Sequence, residues 1–278
     1  MQTFWKKLGP GLITGASDDD PSGIATYSNA GATFGLATLW TAWVTFPLMA
    51  SIQEMCARIG LVTSKGLTGT LKAHYPKYVL YLMILFSFPA IALNIGADIA
   101  GMGAVGKMLF PRIPAFAFSL FFTIILLFTI ILFPYRKLAA VLKYLCLVLI
   151  LYLLVPFFCK IDFFAILKSS IIPKISTSKA FLGVLVGILG TTISPYLFFW
   201  QTNMEVEEMR SKKAVIVDRT VLDNMKQDIN FGMFFSNLVM FFIILTTGTV
   251  LFNNGIHTIN SVEDAAKALE PLAGPSAY

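Results

Sequence analysis

The sequence predicts an all-α, polytopic membrane protein, and three observations carry that reading. First, 56% of the 278 residues are hydrophobic and 13% are charged, with a mean hydropathy of +0.75, whereas soluble domains carry about 25% charged residues. Second, apolar runs close to the ~20 residues that a transmembrane helix needs recur along the whole chain. Third, lysine and arginine divide unequally between alternate connecting segments. So few charges could not solvate a soluble enzyme, and the balance also excludes a disordered chain and a nucleic-acid binder. The cysteines, Cys56, Cys146 and Cys159, lie in apolar stretches without paired or CxxC spacing, so neither a disulfide framework nor a zinc site is indicated.

The first apolar stretch, 8–34, is interrupted by Asp18-Asp19-Asp20-Pro21-Ser22-Gly23. That acidic break destroys any continuous signal-peptide core. Further spans are expected at 36–55, 79–106, 115–133, 138–158, 180–201 and 231–252, seven in all. Placing the N-terminus in the cytosol puts 14 of the 21 basic residues on the inner side, as the positive-inside rule requires. The formal charge of +6 is therefore read as topology, in a multi-pass protein of the cytoplasmic membrane. After the seventh span come a polar stretch, residues 263–272, and Gly274-Pro275-Ser276, which resembles the lead-in to another helix. The chain is accordingly expected to be C-terminally truncated.

Two spans carry helix breakers at their centres. In the first, Pro21 removes a backbone donor and Gly23 permits unwinding. In the sixth, Thr191-Thr192-Ile193-Ser194-Pro195-Tyr196 follows Gly183, Gly187 and Gly190, and its proline lies 174 residues after Pro21. Unwound backbone at membrane depth is tolerated only where it is buried or lines a cavity. Two interrupted segments in matching positions of two repeats point to a transport site near the midplane. The expected organisation is a single transport domain over 1–278, with a first repeat at about 8–158 and an incomplete second repeat over about 180–278. Intramembrane carboxylates mark sites or pathways. Asp20 abuts the break and is the expected ligand, with Asp18 and Asp19 as an entry path or hydrated vestibule. The half-helix end at Thr191 and Thr192 would offer carbonyl oxygens, whose partial negative charge suits a cation.

These residues resemble the Nramp family of divalent metal transporters. The resemblance is carried by Gly9-Pro10-Gly11, the Asp20-Pro21 break, Ala57-Arg58-Ile59-Gly60-Leu61-Val62-Thr63, His74-Tyr75-Pro76, the segment 190–196 and Leu269-Glu270-Pro271-Leu272. It implies the leucine-transporter-type inverted-repeat fold, with broken helices 1 and 6, about eleven spans in the family and seven here. Members selective for transition metals read Asp-Pro-Gly-Asn in the first break and Met-Pro-His in the sixth span. Here those positions read Asp20-Pro21-Ser22-Gly23 and Ser194-Pro195-Tyr196. The resemblance thus places the metal at Asp20, Gly23, Thr191 and Ser194, and the helix breaks at Pro21, Ser22, Pro195 and Tyr196.

Thioether and imidazole suit transition metals, while carboxylate, carbonyl and hydroxyl suit Mg²⁺, Ca²⁺ and Mn²⁺. The expected cargo is Mg²⁺ or Mn²⁺, with no resident cofactor, as in the Nramp-related branch that carries magnesium. Proton-coupled members place an aspartate and, three residues on, a glutamate in the third span. This chain keeps Asp98 but has Gly101, and Tyr196 replaces the histidine, so transport without proton coupling is expected. Asp98 joins Asp18 and Asp19 as a candidate ion or proton pathway.

The competing readings are a proton-coupled Mn²⁺/Fe²⁺ transporter of the same family, a Na⁺-linked carrier of organic solutes, a non-transporting truncated fragment and an intramembrane aspartyl protease. The last would need Asp20 to face Asp98, which sits in Gly96-Ala97-Asp98 without the Gly-x-Gly-Asp pattern. The residues 202–228, with six acids, read as a solvated cytosolic extension and loop, and Glu54 with Arg58 as an i,i+4 ion pair.

Overall fold

The computed structural model describes residues 9–145, 150, 153, 162–212 and 217–259, which contain helices and connections and no strand. The helices are α1 (Pro10–Asp18), α2 (Pro21–Phe34), α3 (Thr41–Thr63), α4 (Leu67–His74), α5 (Lys77–Leu109), α6 (Ala115–Leu132), α7 (Tyr135–Leu145), α8 (Phe163–Ile171), α9 (Lys179–Thr192), α10 (Pro195–Lys212) and α11 (Arg219–Val250). Both expected breaks are present, between α1 and α2 and between α9 and α10. Helices α1, α2 and α10 each begin on a proline, where the missing N–H costs nothing because no intrahelical partner exists.

Helix α11 is the hub. It lies against both halves of the first broken span and against α3. Small residues permit the approach: a methyl group on Gly11 would sit 2.6 Å from the Ile229 nitrogen, and one on Gly31 would sit 2.6 Å from the Ile244 carbonyl oxygen. Gly15 and Gly232 face each other's helices in the same way. Close backbone contact of this kind is how membrane helices gain packing without a hydrophobic driving force. Around it, Tyr27, Leu39, Ile188, Met240 and Ile244 form one core cluster, and Met49, Leu61, Leu197, Ile229 and Met233 a second. Helices α5 and α6 pair through Gly103 against Ser119 and Gly106 against Phe118, and Phe86, Phe88, Leu93, Phe116 and Ile131 leave an exposed apolar surface there.

Four helical stretches among the described residues are long and apolar enough to cross a membrane, and the bent pair Pro21–Thr38 and Thr41–Thr63 brings the total to five. Of the seven expected spans, the first enters this set only through its second half, α2, which forms the bent pair with α3, while α1 is nine residues long and stands outside it. The fifth, 138–158, lies largely outside the described residues beyond α7, as do residues 263–272 and Gly274-Pro275-Ser276. The second span does not start at 36. Gly35 takes φ +57 and ends α2, a 3₁₀ turn follows over Gly35–Thr38, and the chain turns by 113° before α3 begins at Thr41. Helix α8 was not expected from apolar periodicity, being only nine residues long. Its start is set by Asp162, whose carboxylate accepts from the Phe164 and Ala165 amides.

Candidate functional site

The site is built where α2 starts. Asp20 is the N-cap of α2, and its Oδ1 accepts from the Gly23 amide at 2.7 Å and from the Ser22 hydroxyl at 2.8 Å. Its Oδ2 accepts from Asn94 Nδ2 of α5 at 2.9 Å and from the Tyr196 hydroxyl of α10 at 2.9 Å. Ser22 Oγ is also 2.9 Å from Asn94 Oδ1, and its single proton can serve one acceptor at a time. One carboxylate thus gathers both broken spans and α5 at a single point.

The expected ligands are only partly brought together. Gly23 faces the site, where a methyl group would lie 2.9 Å from the Asp18 carbonyl oxygen and 3.4 Å from Thr191 Oγ1, so the two breaks do meet. The Gly23 amide, however, is a donor to Asp20, and as a donor it cannot ligate a cation. The Ser194 hydroxyl turns back onto its own helix, 2.9 Å from the Gly190 carbonyl and 2.7 Å from that of Thr191, and does not reach Asp20. The reason is local: a serine hydroxyl at a helix end bonds the carbonyls three and four residues earlier. Pro21 packs against Gly101, where a methyl group would come within 2.8 Å of Pro21 Cβ. The position at which the resemblance expects glutamate therefore has no room for one in this arrangement.

Asp98 stands one turn beyond Asn94 on α5, half-buried, with Oδ1 unpartnered. Asp18 and Asp19, expected as an entry path or hydrated vestibule, are both buried within the protein, and Ser236 Oγ of α11 donates to Asp18 Oδ2 at 2.9 Å. Among the described residues, no three His, Cys, Asp or Glu side chains converge as a metal centre. The oxygens gathered at Asp20, a carboxylate with hydroxyl and carboxamide groups, are of the kind that suits hard cations.

Sequence reasoning missed Asn94 as a partner of Asp20. Its signal was a polar residue four positions before Asp98 on one helix face. It also missed the polar groups that hold α1. Asp228 of α11 accepts from the amides of Gly9 (2.8 Å), Gly11 (2.7 Å) and Leu12 (3.2 Å). Thr14 Oγ1 lies 2.6 Å from Gln201 Oε1, and Gln201 Nε2 donates to Glu205 at 2.8 Å. Glu205 and Asp228 are 5% and 4% exposed, which corrects their reading as part of a solvated extension: Asp228 supplies the acceptor that three α1 amides need, and Glu205 accepts from Gln201 of its own helix. Glu54 does pair with Arg58, and Lys226 adds a second contact at 3.7 Å.

Comparison with known proteins places the chain in a family and a fold. The family profile described as natural resistance-associated macrophage protein-like (Nramp) matches residues 11–278. A divalent metal cation transporter MntH of Caldanaerobacter subterraneus subsp. tengcongensis is 26% identical over 279 residues, 99% of this chain and 65% of that protein. Its counterpart in Listeria monocytogenes serotype 4b is 27% identical, covering 98% of this chain and 62% of that protein. The present chain therefore spans less than two thirds of the length of these curated relatives. The crystal structure of the Eremococcus coleocola manganese transporter, bound to an aromatic bis-isothiourea compound, superposes with a TM-score of 0.75 at 20% identity, over 90% of this chain and 52% of that one. The fold is shared.

Proposed function

We propose, from the premise that this chain belongs to the natural resistance-associated macrophage protein-like family, that it takes part in moving divalent metal cations across a membrane through a site at Asp20. The supporting observation is the convergence of Ser22 and Gly23, Asn94 and Tyr196 on one intramembrane carboxylate beside two helix breaks. A bare carboxylate at membrane depth is costly. Here three of its four donors, the side chains of Ser22, Asn94 and Tyr196, can rotate away when an ion arrives while the Gly23 amide stays, leaving the oxygens of Asp20, Asn94, Ser22 and Thr191 to face it. The relatives are named as divalent metal cation transporters and a manganese transporter.

Mg²⁺ and Mn²⁺ are the favoured cargo. Among the described residues, the partners of Asp20 include no sulfur or imidazole, and Mg²⁺ favours one or two carboxylates with retained waters. Transport proceeds without proton coupling, a reading supported by Gly101 packing on Pro21 where a glutamate would have to fit. The test is uptake by the full chain in proteoliposomes. Mn²⁺ and Mg²⁺ accumulation, lost in Asp20→Ala and unaccompanied by lumenal acidification, is the expected result. Tight Cd²⁺ binding would overturn the hard-cation assignment, and acidification in step with influx would overturn the uncoupled one.

A further inference from the structure

Beside the Asp20 cluster, four buried oxygens have no hydrogen-bond partner: Asp18 Oδ1, both carboxylate oxygens of Asp19 and the Tyr27 hydroxyl. Asp18 and Tyr27 are fully buried and Asp19 is 5% exposed. Buried polar groups are paired in roughly 90% or more of cases, and each orphan calls for a specific cause such as an ion. None of the groups that engage Asp20 bonds to Asp18 or Asp19. Among the described residues, no Lys, Arg or His forms an ion pair with any of the three aspartates.

These oxygens share one neighbourhood. Asp18 and Asp19 follow each other at the end of α1, and α11 presents Ser236 Oγ to Asp18 at 2.9 Å. Tyr27 lies two turns into α2. Helical side chains lean toward the helix N-terminus, which carries its hydroxyl back toward the break. The donors are all oxygens, which suits a hard cation. Charge selects its valence. With all three carboxylates ionised, a divalent ion at Asp20 would offset two of the negative charges, and one monovalent ion would offset the third.

We infer that Asp18, Asp19, Tyr27 and Ser236 form a second cation site, separate from Asp20, that takes a hard monovalent ion of the sodium type. The proposed divalent-cation function enters only through the charge balance, and the ligands stand without it. The experiment is radiolabelled Na⁺ binding to the purified full chain at fixed pH, alongside Mn²⁺ binding. Saturable binding of a single Na⁺ per chain is expected. Asp19→Asn and Tyr27→Phe should weaken it by roughly tenfold or more, while Asp20→Asn should lose Mn²⁺ and retain Na⁺. Absence of saturable Na⁺ binding in the unmodified chain overturns the inference, as does loss of Na⁺ in Asp20→Asn or one-for-one displacement of Na⁺ by Mn²⁺. If Asp19→Asn aggregates, Tyr27→Phe and Ser236→Ala decide, and unchanged Na⁺ affinity in both overturns the site. Na⁺ binding without Mn²⁺ binding would defeat the proposed function and leave this site standing.

Discussion

Asp20 and Asp228 are two carboxylates at two helix N-termini of the same broken span, and they have opposite duties. Asp228 reaches from α11 to α1 and accepts from three backbone amides. Asp20 caps α2 with one amide and takes its remaining bonds from the side chains of Ser22, Asn94 and Tyr196. Backbone amides cannot turn away without unwinding the helix, whereas hydroxyls and a carboxamide can rotate. The first carboxylate is therefore committed to structure, and the second can be surrendered to an ion. What separates them is the mobility of their donors rather than the acid itself.

That contrast can be broken in several places. The largest expected effect is Asp20→Asn. Asparagine remains a good N-cap, so folding should persist while Mn²⁺ affinity in a titration falls by more than about 100-fold, beyond the range that outer partners cost. Asp228→Ala should do the reverse. Stability should drop by about 2 kcal/mol, the scale of hydrogen bonds to a charged group, read as a lower unfolding temperature, with Mn²⁺ affinity nearly unchanged in the folded fraction. Asn94→Ala should weaken Mn²⁺ by about tenfold, as loss of a positioning partner does, and the same titration checks it. Ser194→Ala should be the mildest. Its hydroxyl serves only its own helix, so a change within about 0.5 kcal/mol in stability and no change in metal affinity are expected. A large loss of affinity in Ser194→Ala would show that this serine turns toward the ion after all.

The comparison also marks what could be read in advance. Both breaks were legible because Pro21 and Pro195 act through their own backbone and need no neighbour to stop a helix. Asp20 was legible because an acid beside such a break in an apolar run is too costly to keep there without a partner or an ion. Asn94 was not, since its role depends on α5 crossing the start of α2. Asp228 and Glu205 looked like members of a balanced, solvated charge run, and only the α1 amides beside Asp228 and the Gln201 side chain beside Glu205 show what they accept from. The burial of Asp18 was hidden in the same way, since Ser236 meets it from α11, a segment distant in sequence.

By itself, then, the sequence determined the membrane class and the two proline breaks. These follow from hydropathy and from missing N–H groups. Tertiary structure decided which donors meet Asp20, that Ser194 turns away, and that α11 seals the aspartates below the break. Those outcomes depend on close helix crossings at Gly11, Gly15, Gly31 and Gly232. A crossing is a relation between distant segments, and neither segment contains it alone.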